Sequence, residues 1–196
     1  MNTLPLSLIA LGGVLLVCGA IWLLVPAVYG LPWVPTREAR IRRALKMAGL
    51  QPGEKLYDLG SGDGRVLRLA AREFGARAVG IEVGPMQCLL SRLLTWLSRS
   101  GDRVQTRCGN FYKASFQDAD VVFVYLTSGQ TARLRPLLER QLRPGARVVS
   151  IAADFPGWRP TEVDRVMLVF AYILPQPRIP RAGDHGVDPA DPHGSS

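Results

Sequence analysis

The chain has 196 residues, 47% of them hydrophobic, and 24 lysines and arginines against 16 aspartates and glutamates give a formal net charge of +8 at pH 7. That fits one ordinary domain plus an appendage; it is too apolar for a disordered chain and too short for two large domains. The three cysteines, Cys18, Cys88 and Cys108, form no CxxC or Cys/His cluster, which argues against a metal site and reads as scattered thiols, buried as small hydrophobes in a reducing compartment.

No charged residue or histidine precedes Arg37, and Leu6 to Val25 is apolar apart from Ser7. Twenty helical residues rise roughly 30 Å, about the hydrocarbon thickness of a bilayer. Residues 1–30 are therefore expected to form one transmembrane anchor. A cleaved signal peptide would want a positively charged start, which Met1 to Pro5 lacks. Trp22, Tyr29 and Trp33 fit an interfacial aromatic belt. Arg37, Arg40, Arg42, Arg43 and Lys46 follow the span with only Glu38 among them, so positive charge retained inside puts the domain on the cytoplasmic side of a single-pass protein. By electrostatics alone the basic balance favours anionic lipid or nucleic acid, and basic charge decorating a membrane-facing surface is the plainer reading. Phe111-Tyr112-Lys113 is the only interleaved aromatic and basic cluster, too little for an RNA surface, and no nucleic-acid partner is expected.

Leu31-Pro-Trp-Val-Pro-Thr36 reads as a short, stiff linker. Thr36 is placed to cap a helix from Arg37 to about Ala48 with Ile41, Leu45 and Ala48 on one face, and Gly49 stops it. Strands are expected at Lys55–Leu59, Ala78–Glu82, Val104–Cys108, Val121–Leu126, Arg147–Ala152 and Val166–Leu174. Helices are expected after Gly64, over Met86–Ser98 and over Gln130–Gln141. The continuous apolar run Val121-Val-Phe-Val-Tyr-Leu126 is that of a strand buried on both faces. The alternation predicts an α/β fold over residues 31–174, a doubly wound, mostly parallel Rossmann-like sheet with helices on both faces. From Pro175 onward proline, glycine and charge dominate, and residues 175–196 read as a disordered tail.

In such sheets a ligand sits beyond the carboxyl ends of the strands, where the strand order switches. The stretch Asp58-Leu-Gly-Ser-Gly-Asp-Gly64 stands there, with Glu82 closing the second strand 22 residues after Gly60. A glycine-rich turn followed by an acid at this distance holds the ribose of a nucleotide cofactor. Asp58 stands where a dinucleotide site normally has an apolar residue. Its charge is awkward for a pyrophosphate and suits a cation, and S-adenosyl-L-methionine carries a sulfonium and an α-ammonium and no phosphate. Asp58 can neutralise that ammonium, Glu82 can accept both ribose hydroxyls, Asn110 and the Phe111 amide can bond adenine, and Met86 can pack on its face. The candidate donor set is Asp58, Leu59, Gly60, Ser61, Gly62, Asp63, Gly64, Glu82, Val83, Met86, Asn110 and Phe111.

Residues 31–174 as a whole resemble a class I S-adenosylmethionine-dependent methyltransferase. Three motifs make the resemblance narrower: Pro32-Trp-Val-Pro-Thr36, Tyr57-Asp-Leu-Gly-Ser-Gly-Asp-Gly-Arg65, and Leu134-Arg-Pro-Leu-Leu-Glu-Arg-Gln-Leu-Arg-Pro-Gly-Ala-Arg-Val-Val-Ser150 with Pro156-Gly-Trp158 beyond it. They are similar to the membrane-anchored protein-lysine methyltransferases of mitochondria, which have soluble relatives in archaea. The resemblance implies methyl transfer to lysine ε-amines of proteins, often membrane proteins, and puts Pro35, Thr36, Tyr125 and Thr127 around the acceptor amine. A lipid or small amphiphile as acceptor, and a non-catalytic S-adenosylmethionine-binding scaffold, stay open as alternatives. The chain departs from the family pattern on the acceptor side. Ser128 stands where relatives have proline, Ile151-Ala-Ala-Asp154 replaces a basic and acidic-aromatic stretch, and Thr161 to Leu174 is short for the closing hairpin and shows no clear turn.

Overall fold

A computed structural model describes residues 6–28 and 36–176. The expectations that fall on Tyr29, on the linker with Trp33 and Pro35, and on the tail beyond Gln176 lie outside the described residues, as does that on the Trp22 side chain. The apolar N-terminal segment forms helix α1 (Leu6–Val28). Among the described residues no helix is long and apolar enough to cross a membrane.

The expected doubly wound sheet is present. After α2 (Glu38–Met47), the chain alternates β1 (Lys55–Leu59), α3 (Arg65–Phe74), β2 (Arg77–Glu82), α4 (Pro85–Leu97), β3 (Val104–Cys108), β4 (Val121–Tyr125), α5 (Ser128–Gln141) and β5 (Arg147–Ile151), and ends in β6 (Glu162–Asp164) and β7 (Val169–Ile173). The seven strands lie in the order β3-β2-β1-β4-β5-β7-β6. The first five pair in parallel, and β7 runs antiparallel to β5 and β6. β1 lies between β2 and β4, so the chain winds outward in one direction and then crosses back, which creates the switch at the end of β1.

Two apolar layers sandwich the sheet. On one face Leu56, Ala78, Val121 and Phe123 pack against Ile41, Ala44 and Leu45 of α2 and Val66, Leu67 and Ala70 of α3. On the other, Tyr57, Val79, Val122 and Val124 pack against Leu134, Leu137 and Leu138 of α5 and against Phe155, Trp158 and Tyr172. Phe155 and Trp158 stack with ring centroids 4.5 Å apart, so Pro156-Gly-Trp158 closes this layer. Residues 121–124 of β4 are at most 1% exposed, which is why that strand reads as an unbroken apolar run.

Several expectations need correction. Thr36 does not cap α2; Arg37 occupies the cap position without a side-chain bond, and the Thr36 carbonyl is taken by Arg65. α5 begins at Ser128, two residues before the expected start, with the Thr127 amide bonded to the Gln130 side chain. Cys88 and Cys108 are joined in a disulfide, so two of the three cysteines are not separate thiols. Their separation of 20 residues conceals that the end of β3 and the first turns of α4 lie side by side. The C-terminal segment does contain a hairpin. Asp164 accepts from the Val166 and Met167 amides, making the turn between β6 and β7, and β7 starts at Val169 rather than Val166.

Candidate active site at the carboxyl edge of the sheet

Asp58 and Leu59 end β1 between Gly80 and Ile81 of β2 and Phe123 and Val124 of β4. The chain then turns through the glycine loop. The Gly60 and Ser61 amides donate to the Ile81 carbonyl at 2.8 and 3.2 Å, and Gly64 donates to the Ser61 carbonyl at 2.9 Å. Gly60 adopts a φ of +96°, a conformation a side chain resists. Gly80 is required for a different reason: a Cβ there would fall 2.5 Å from Ser61 Oγ and 2.6 Å from Leu67 Cδ1. Helix α3 and the loop can press onto the sheet only because that atom is missing.

The two acids have contrasting surroundings. Asp58 is 3% exposed, and among the described residues its carboxyl has no hydrogen-bond or salt-bridge partner. Burial, with Glu82 and Asp63 nearby, pushes it well above the usual carboxylate range. Glu82 is held by the backbone, with Oε2 accepting from Gly62 at 2.8 Å and Oε1 from Gly84 at 2.7 Å. Each oxygen keeps a lone pair for a further donor. The Glu82 carbonyl accepts from Gly109, tying the end of β2 to the turn that carries Asn110 and Phe111.

This arrangement fits S-adenosyl-L-methionine. A buried carboxyl without a cation, a fixed carboxylate with spare acceptor capacity, and Ser61 Oγ buried without a partner converge at the strand switch. Asp58 would hold the methionine ammonium and Glu82 the ribose hydroxyls. Val83 and Met86 stand half-buried on either side of Pro85, at the start of α4. Phe111 is half-buried against Tyr112, with centroids 4.5 Å apart.

Two of the candidates are occupied otherwise. Asn110 Oδ1 accepts from the Tyr112 amide at 2.9 Å and caps a short 3-10 turn over Phe111–Lys113, which leaves its amide NH2 as a donor. The Asp63 carboxylate is bracketed by Arg65, 2.8 Å away at Nη2, and these bonds outweigh burial and hold it below its ordinary value. Arg65 also donates through Nη1 to the Thr36 carbonyl at 3.1 Å. Asp63 and Arg65 thus strap the segment at Thr36 to the glycine loop.

On the acceptor side, Tyr125 ends β4 half-buried and Thr127 is exposed at the start of α5. Pro35 lies outside the described residues. Arg40 of α2, which carried no motif signal, lies over the Tyr125 ring at 5.6 Å and donates to the Met167 and Leu168 carbonyls at the tip of the β6–β7 hairpin. It draws α2, the end of β4 and the hairpin into one rim. Its only advance signal was a position within the basic run after the apolar segment. Ser128 occupies the first position of α5, where a proline also fits, so this departure leaves the backbone unchanged. The replaced stretch at 151–154 is tied down as well, with the Ala152 amide on the Leu168 carbonyl and Thr131 Oγ1 on the Asp154 carbonyl.

Residues 58–162 match the family model described as the ANTKMT methyltransferase domain. A protein-lysine N-methyltransferase of Saccharolobus islandicus is 37% identical over 138 residues, 69% of this chain and 84% of that protein. The adenine nucleotide translocase lysine N-methyltransferase of Mus musculus is 35% identical over 71% of this chain, which spans 60% of that protein's length. A crystal structure described as an RNA methyltransferase from Salinibacter ruber, in complex with S-adenosyl-L-homocysteine, superposes with a TM-score of 0.72 at 39% identity, covering 76% of this chain and 97% of the other. With the glycine loop and its two acids inside the matched region, the chain belongs to the ANTKMT methyltransferase domain family, enzymes that use S-adenosylmethionine as methyl donor.

Proposed function

We propose that the chain methylates lysine side chains of a membrane-associated protein, with α1 as its membrane anchor and the catalytic domain on the cytoplasmic face. The observation that carries the donor half is Asp58, buried without a cation next to Glu82 at the strand switch. The acceptor half is supported by the archaeal and mouse relatives, both named as lysine methyltransferases, the mouse one for adenine nucleotide translocase. The anchor is supported by the sequence alone, an apolar run from Leu6 to Val25 with no charge before Arg37 and a basic run after it.

The donor supplies a methyl group on a sulfonium, and transfer forms a C–N bond to the amine as the C–S bond breaks. The attacking lysine must be neutral. Arg40 places a fixed positive charge over Tyr125, which disfavours an ammonium at this rim and lowers the acceptor pKa. In this reading Thr36, Tyr125 and Thr127 align the amine against the sulfonium methyl. Loss of the amine proton before attack leaves no need for a dedicated base.

One observation favours a second reading: the solved relative at 39% identity is described as an RNA methyltransferase, and this chain carries a net charge of +8. Incubation of the full chain with membranes that lack it and methyl-labelled S-adenosylmethionine separates the readings. Label recovered as methyl-lysine in a protein band is expected. Label in the RNA or the lipid fraction overturns the lysine assignment.

A further inference from the structure

Helix α4 is amphipathic in the wrong sense for a helix facing water. Its buried side chains include Gln87, Cys88, Ser91 and Thr95. Its exposed face carries Leu89, Leu93, Trp96 and Leu97, which are 61, 49, 73 and 59% exposed. These four fall at i, i+4, i+7 and i+8, one continuous stripe. A soluble helix places those types the other way round, and an exposed apolar stripe of this extent marks an interaction surface.

Two observations identify what covers it. Helix α1, whose own Leu and Val side chains are exposed, lies in contact with α4. The apolar surface is thus continuous between the two helices. The segment from Val83 to Gly101 contains no acidic residue and carries Arg92 and Arg99, both exposed. A second copy of the chain docked on this stripe would bring like charges together, whereas an anionic bilayer surface would pair with them.

We propose that the outer face of α4 lies in the headgroup–acyl boundary of the membrane, as an interfacial helix beside the span. This rests on the reading of α1 as the anchor. Thirteen helical residues cover roughly 20 Å of membrane surface. Because α4 begins just after Glu82, an α4 lying on the membrane sets the mouth of the donor pocket at the membrane surface, level with a lysine that emerges there.

The test uses the full chain with Cys18→Ser, Cys88→Ser, Cys108→Ser and Leu93→Cys, so that position 93 carries the single thiol, labelled with a solvatochromic nitrobenzoxadiazole dye and reconstituted into phosphatidylcholine–phosphatidylglycerol vesicles. Trp96→Cys serves as a second probe position and Arg140→Cys, on α5 across the sheet, as the control; S-adenosylhomocysteine binding verifies the fold of each. The expected result is a blue-shifted emission at positions 93 and 96, quenched by nitroxide lipids, with a water-like emission at 140. Pelleting with vesicles and a water-like signal at 93 and 96 overturns the interfacial helix and leaves the anchor standing. A blue shift that nitroxide lipids do not quench assigns the stripe to a second copy or another protein, which also overturns it. A chain that fails to pellet with vesicles overturns the anchor and this inference together.

Discussion

At the scale of single residues the donor site depends on a mismatch that the cofactor removes. Asp58 is raised by burial and by its acidic neighbours, and a bound ammonium would lower it again. Binding therefore releases a proton. The sign follows: affinity for S-adenosylhomocysteine is fullest above the raised value of the free protein and falls as pH drops through it. Calorimetry across the acid range checks this, and a flat profile contradicts it. Gly80→Ala pushes a methyl into Ser61 and Leu67; it is expected to cost about 1–3 kcal/mol and to lower the midpoint of thermal unfolding. Asp58 and Glu82 were legible in the sequence because charge at a glycine loop has few structural explanations. Arg65 and Arg40 were not, because a cation in a basic stretch looks like solvated surface until its carbonyl partners are known.

At the scale of elements, β1, β2, β4 and β5 announced themselves through apolar runs and α2 and α3 through their apolar faces. The hairpin did not, because β6 is three mostly exposed residues, Glu162–Asp164, without apolar alternation. Its turn depends on Asp164, one side chain accepting two backbone amides. Arg43 adds ion pairs from α2 to Glu162 and Asp164; water screens them at the surface, so they orient the hairpin more than they stabilise it. Arg40 joins the same two elements over Tyr125 and is expected to matter for turnover. Arg40→Gln should move the pH–rate profile to higher pH, because the acceptor lysine loses a nearby positive charge, while affinity for S-adenosylhomocysteine stays unchanged. A rate profile that does not move removes Arg40 from the acceptor environment.

At the scale of the whole molecule, the proposed membrane contact rests on the apolar N-terminal segment, the basic run after it and the inverted α4. The disulfide between Cys88 and Cys108 pulls the other way, since such bonds are rare in a reducing cytoplasm. Acid quenching of cells followed by alkylation of the unfolded chain resolves this. A cytoplasmic domain is expected to yield both cysteines alkylated as thiols; a retained bond places the domain in an oxidising compartment. The donor site is tested most directly by the affinity of the full chain for S-adenosylhomocysteine with Glu82 intact and removed. Glu82 fixes Gly62 and Gly84 and is assigned both ribose hydroxyls. Two charge-assisted bonds of about 1.5–3 kcal/mol each predict a loss of about a hundredfold or more in Glu82→Ala. Unchanged affinity in Glu82→Ala, or a wild-type chain that binds NAD as tightly as S-adenosylhomocysteine, would contradict the site.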